Sequence, residues 1–304
     1  MRIGNVEIDD NDFAEAFPMW ACRALITAQD EKWARTAAHT STGFASSIIM
    51  SPAEAGVEGP VVSPERTPDG RVGVHIQIYH RTGMELKLQV LGRIGQCVLT
   101  CPTTATFDAM PKAVKRLKIG RMIRMFGDGF ESKDTLGGRK IWRIPVMEGE
   151  FIIEDKFGVR RAAAGGNFLI MADSQKAGLA AAEKAVSAIS TVSGVVLPFP
   201  GGICRSGSKV ASNKYKLRAS TNDPYCPKLR SITGNSLVPD GVTSVYELVF
   251  NGVTPTLLKR ATARGIRAAA TVPGVRKITA VNFGGKLGPI QIKLKEALDT
   301  EPEK

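Results

Sequence analysis

The chain has 304 residues, 43% hydrophobic and 23% charged, the composition of a globular protein that buries a sizeable core in one large or two ordinary domains. Its formal net charge of +12 favours anionic partners: nucleic acid, phosphate-bearing or polyglutamyl substrates, or acidic protein surfaces. Nowhere do about 18 uncharged apolar residues run together and no apolar stretch follows a basic start, so no membrane span and a cytoplasmic protein are expected.

In chain order, hydrophobic periodicity gives four strand-helix-strand units. The first has a strand over 23–27, a helix carrying Trp33, Ala34, Ala37 and Ala38, a stop at Gly43 and a strand over 44–50. In the second, Val72, Val74, Ile76 and Ile78 alternate with Gly73, His75, Gln77 and Tyr79 as in a half-buried strand, and Met84, Leu88, Leu91 and Ile94 mark a helix ending at Gly95. The run 112–124 concentrates lysine and arginine, as a solvated helix face or as a dock for an acidic partner or polyglutamyl tail. A turn at Gly137-Gly138-Arg139-Lys140 and a crossing strand over 144–150 put the domain boundary near residue 150, dividing 1–150 from 151–304.

The third unit has a strand over 167–171, a helix with Leu179, Ala182, Val186 and Ile189, then Gly194 and a strand over 195–197. In the fourth, a strand over 245–250 precedes Thr254 as N-cap and Pro255 at the first helical position, and Gly274 precedes a strand over 275–281. Glycine after the last periodic residue is the expected left-handed helix stop. Two such units make one split β-α-β fold with helices on one face of an antiparallel sheet. The expected class is therefore α+β, with two ferredoxin-like lobes and internal duplication.

The five cysteines are scattered and read as reduced thiols, and neither they nor the three histidines have zinc-site spacing, so no metal is expected. A nucleic-acid role is disfavoured because the strands are aliphatic and aromatic content is only 6%, whereas an RNA-recognition sheet carries interleaved aromatics. The loop Gly201-Gly202-Ile203-Cys204-Arg205-Ser206-Gly207-Ser208-Lys209 lacks the glycine-lysine-serine/threonine order of an ATP loop.

Periodicity does not account for the polar and glycine-rich segments. They include Phe13-Ala14-Glu15-Ala16-Phe17, Pro52-Ala53-Glu54-Ala55-Gly56 and Phe126-Gly127-Asp128-Gly129 in the first half. In the second half stand Ala164-Gly165-Gly166-Asn167, Pro198-Phe199-Pro200-Gly201-Gly202, Ala219-Ser220-Thr221-Asn222-Asp223-Pro224-Tyr225-Cys226-Pro227 and Asn282-Phe283-Gly284-Gly285-Lys286-Leu287-Gly288. In order and spacing the chain resembles formylmethanofuran:tetrahydromethanopterin formyltransferase over essentially its whole length. The resemblance implies formyl transfer between the amine of methanofuran and N5 of tetrahydromethanopterin, with both carriers as substrates and no prosthetic group. It also implies a homotetramer. The basic charge instead points toward the formyltransferase subunit of a bacterial complex with formylmethanofuran hydrolase-type subunits, in which a scaffold role is the alternative.

Formyl transfer between nitrogens needs charge stabilisation on the formyl oxygen and proton movement to the departing amine. The resemblance carries the catalytic role to the strand of Glu247, whose apolar neighbours would raise its pKa and keep it protonated; a solvent-facing strand glutamate is the other reading. Glu54 and Asp223, in proline-bounded loops, suit the amino-pyrimidine edge of a pterin or stand solvated. Ser206 and Lys209 in the loop above, Asn167 in its glycine run, and Asn282 and Lys286 are the further substrate-binding candidates. Glu15 is expected to be structural.

Overall fold

The computed structural model describes residues 1–206, 215 and 222–301. Strands β1 (Arg2–Ile3) and β2 (Val6–Ile8) form a hairpin, followed by β3 (Phe13–Thr27), α1 (Glu31–Thr42), β4 (Glu54–Val62), β5 (Gly73–His80), α2 (Gly83–Arg93) and β6 (Ala105–Asp108). Next come β7 (Lys115–Leu117), α3 (Ile119–Ile123), the meander β8 (Ser132–Leu136), β9 (Arg139–Val146) and β10 (Gly149–Glu154), and the long strand β11 (Phe157–Ala172). The series closes with α4 (Gln175–Ser190), β12 (Val195–Val196), α5 (Arg230–Thr233), β13 (Ser244–Gly252), α6 (Pro255–Ala270), β14 (Val275–Thr279), β15 (Ile290–Lys293) and α7 (Leu294–Thr300).

Two compact units divide the chain: Met19–Ala162, and Met1–Pro18 with Ala163–Lys304. Residue 150 falls inside the first, where β7 pairs with residues 157–159 at the start of β11. In that lobe the antiparallel ladder runs β6-β3-β5-β4. Alternation along β3 and β5 sends Ala24, Ile26, Val74, Ile76 and Ile78 to one face, where Ala34, Ala37 and Ala38 of α1 and Leu86 and Val90 of α2 cover them. The second lobe repeats the plan as β14-β11-β13-β12, again antiparallel. Phe168, Ile170, Leu248 and Phe250 pack there against Ala181, Ala185 and Ile266 of α4 and α6. The α+β class, the two ferredoxin-like lobes and the duplication are thus present. Parallel pairs occur at the added strands, β10 beside β6 and β2 beside β14.

The start of α6 follows its sequence, whereas its C-cap is Thr271 and the expected stop, Gly274, lies in the turn before β14. Thr254 Oγ1 accepts from Leu257 N at 3.3 Å, Pro255 opens α6, and Gly274 takes φ +92°. Thr254→Ala should cost about 1 kcal/mol in urea unfolding, the usual worth of such a cap.

Several local expectations are corrected. Residues 44–50 are not a strand: Phe44 sits at φ +42° and Ser47 O accepts from Ser51 N at 2.8 Å, a turn that delays the second strand to β4. Gly43 is extended rather than left-handed at φ −63°. Gly95 stops no helix, since a π turn over Ile94–Val98 carries the chain on and packs this glycine against Ile123 and Phe126. The run 144–150 is broken by a turn between β9 and β10. The basic run 112–124 is no long helix either, but β7 and the short α3.

Candidate functional site

β13 carries Glu247 on the sheet face away from α4 and α6. Its neighbours Leu248 and Phe250 enter the helix-side core, whereas Leu169, paired directly with Glu247, clusters with Met171, Val238, Val242 and Val281 on the opposite face. A single bridge holds the loop after β12 along the strand: Cys204 N donates to Glu247 O at 2.8 Å and Glu247 N to Cys204 O at 3.1 Å. That bridge brings Ser206 Oγ into hydrogen bond with Glu247 Oε2, and Asn222 Nδ2 donates to the same oxygen at 3.3 Å.

Glu247 is only 8% exposed. Burial raises its pKa above the ordinary 4.5, against the hydrogen bonds from Ser206, Cys204 and Asn222, which lower it. Burial and the Glu247 charge push the Cys204 thiol up to about 12, so at neutral pH it is a weak neutral donor and not a nucleophile. The constellation is therefore a buried acid, oriented through one oxygen, with no activated nucleophile beside it among the described residues. It suits proton donation, not covalent catalysis.

Glu15, the other carboxylate inside an apolar run, behaves oppositely. It is 3% exposed, yet its pKa lies below the ordinary value: burial raises it, but four backbone N–H groups outweigh that by donating to its oxygens, from Phe283 (2.8 Å), Gly285 (2.5 Å), Leu287 (2.8 Å) and Gly288 (3.1 Å). This binds the loop 282–288 to the start of β3. A Cβ at Gly288 would lie 2.6 Å from Ala16 O, so the loop approaches the strand too closely for any other residue.

Asn282 belongs to the same loop, its Nδ2 donating to Asp12 Oδ1 at 3.2 Å and its Oδ1 accepting from Gly284 N at 3.1 Å; Lys286 is exposed at the loop tip. Asn167 shares the sheet face of Glu247, but its amide is spent on Val281, whose N donates to Oδ1 at 3.0 Å. Asp223 follows Asn222 directly and accepts from Asn235 Nδ2 at 3.3 Å. Glu54 lies in the other lobe, where its carboxylate accepts from Ile48 N at 3.1 Å. Lys209 lies outside the described residues.

Of the candidates among the described residues, then, only Ser206 touches Glu247. Asn222 and Cys204 were not singled out; both stand in the polar segments that the periodicity leaves unexplained, and no spacing rule links them to residue 247. All five cysteines are free thiols, and no helix among the described residues is long and apolar enough to cross a membrane.

Comparison with known proteins agrees along the whole chain. The family model described as formylmethanofuran-tetrahydromethanopterin formyltransferase matches residues 1–146, and that described as FTR, proximal lobe, matches 149–297. The chain is 54% identical over 303 residues to the formylmethanofuran--tetrahydromethanopterin formyltransferase of Methanocaldococcus jannaschii, covering 98% of this chain and 100% of that one. Its structure superposes on the Methanosarcina barkeri enzyme with a TM-score of 0.94 at 49% identity, covering 98% of this chain and 100% of the other. A chain of the formyltransferase/hydrolase complex from Methylorubrum extorquens, solved with methylofuran, gives 0.91 at 39% identity and 98% coverage of both. Identity to that chain is lower than to the two enzymes above. The chain belongs to the formylmethanofuran-tetrahydromethanopterin formyltransferase family and is a formyltransferase.

Proposed function

We propose that this formyltransferase moves a formyl group between the amine of methanofuran and N5 of tetrahydromethanopterin, with Glu247 as the acid. The pterin N5 lone pair attacks the formyl carbon, forming the new C–N bond and leaving an oxyanion beside the protonated Glu247. When the intermediate collapses, the bond to the amine breaks and the amine nitrogen takes the Glu247 proton. The proton lost by N5 restores the acid, so the reaction is neutral overall and runs either way. The observation carrying this reading is the buried Glu247 carboxyl, held through one oxygen by Ser206 and Asn222, with its pKa raised by burial. The test is formyl transfer from formylmethanofuran to tetrahydromethanopterin by purified protein with chelator present; absence of transfer both by the chain alone and with hydrolase-type subunits added overturns it.

Absence of transfer by the chain alone, with activity restored on adding hydrolase-type subunits, favours assembly into a larger complex. The likeness to the Methylorubrum extorquens chain is the observation behind that second reading. Native mass distinguishes a homotetramer from a heteromer, and a cytoplasmic location goes with either.

A further part of the proposal concerns charge. Arg116 and Arg121, with Lys133, Arg139, Lys140 and Lys156, line a cavity of about 490 Å³ in the first lobe. The arginines are paired, Arg116 with Asp108 at 2.9 Å, Arg139 with Glu154 at 2.7 Å and Arg121 with Asp155 at 3.4 Å, while the three lysines have no ion pair among the described residues. We assign this cavity to the anionic tail of a carrier. Changing all three lysines to glutamine should raise KM for a long-tailed methanofuran roughly fivefold and leave a truncated one unchanged, since exposed charge contacts are each worth under about 1 kcal/mol. Equal loss on both refutes the assignment.

A further inference from the structure

Asn222 has one amide end engaged and one free. Its Nδ2 donates to Glu247 Oε2 at 3.3 Å, while its buried Oδ1 has no hydrogen-bond partner among the described residues. The residue as a whole is 6% exposed. Turned over, the amide would set its oxygen against a carboxyl oxygen that already bonds Ser206. Buried carbonyl oxygens without a donor are rare in folded proteins, because desolvation is then uncompensated, and those that persist are commonly completed by a bound group. An amide oxygen only accepts, so an N–H or O–H must complete it.

We propose that Asn222 Oδ1 receives the N–H of the amine-side carrier, so that one side chain spans the reacting amide and the acid. The inference rests on the formyl-transfer reading above and deepens it by naming which carrier lies here. A formamide made from a primary amine keeps one N–H, whereas a formyl group on the ring nitrogen of the pterin leaves that nitrogen none. The oxygen therefore selects the primary-amine carrier and excludes the formylated pterin from this position. It also sets the amide nitrogen next to Glu247, the group that protonates it as it departs. Asn222 thereby both orients the acid and reads the substrate.

The experiment compares kcat/KM of wild type, Asn222→Leu and Asn222→Asp on a truncated formamide of a primary amine and on its N-methyl derivative, which has no N–H. Wild type should favour the N–H donor by about tenfold, the worth of one hydrogen bond. Asn222→Leu fills similar volume without an acceptor and should bring that ratio close to one. Asn222→Asp keeps an acceptor oxygen and should retain the preference. With its Nδ2 donor gone and a carboxylate added, the alkaline limb of its pH–rate profile should move upward, because both changes raise the Glu247 pKa. Because leucine still occupies the space, a purely steric rejection of the methyl group survives in Asn222→Leu. An unchanged ratio in a variant that is folded and transfers formyl therefore overturns the inference. If wild type transfers no formyl group from either donor, the underlying reading fails and the inference falls with it.

Discussion

Replacing Glu247 with glutamine should lower kcat for formyl transfer at least about a hundredfold, the range expected when a positioned acid can no longer give its proton. Glutamine keeps the shape and an oxygen for Ser206 and Asn222, so the site stays assembled while proton transfer stops. The wild-type rate should also fall as pH rises through the Glu247 pKa, which burial holds above 4.5, and this limb should vanish in the variant. Stability separates chemistry from folding. A carboxyl whose folded pKa is raised contributes stability that is present below its unfolded pKa and is lost as pH rises through the folded one. At neutral pH Glu247→Gln should therefore be at least as stable as wild type in urea while nearly inactive. A variant that keeps its kcat removes Glu247 from the mechanism and leaves the family membership untouched.

Glu15→Ala should be the most destabilising single change considered, on the order of 3–5 kcal/mol by urea unfolding at pH 7. It strips the acceptors from four backbone N–H groups at once, and each buried donor left unsatisfied costs about 1–3 kcal/mol before the loop relaxes. The pH dependence has the opposite sign to that of Glu247. With its folded pKa depressed, Glu15 contributes stability above its ordinary 4.5 that is lost as pH falls through the lowered value. Wild type and variant should then converge in acid, and amide exchange of residues 282–288 should quicken selectively in the variant. A loss under about 1 kcal/mol refutes the anchoring role.

The two glutamates show where sequence reading stops. Each stands inside a short apolar run, and pattern alone gives both the same environment. What separates them is the number of donors that distant segments bring to the carboxyl. Glu15 meets four N–H groups of residues 283–288, while Glu247 meets side chains of Ser206, Asn222 and Cys204 on the sheet face that also carries Leu169 and Met171. Neither donor set lies within one turn or strand of the carboxyl it serves, so no local periodicity encodes it. The same limit hid Asn222, whose partner is 25 residues away.

The sequence by itself determined the repeated strand-helix-strand units, the cap at Thr254, the left-handed turn at Gly274, and the duplicated α+β lobes. Those features rest on side-chain alternation, capping chemistry and glycine's access to positive φ, all of which act between near neighbours. Tertiary structure alone decided that 44–50 turns instead of pairing and that Gly95 is a packing contact. It also decided which of two buried carboxyls has its pKa raised and which has it lowered, because desolvation and hydrogen-bond donors are supplied by residues that only folding brings together.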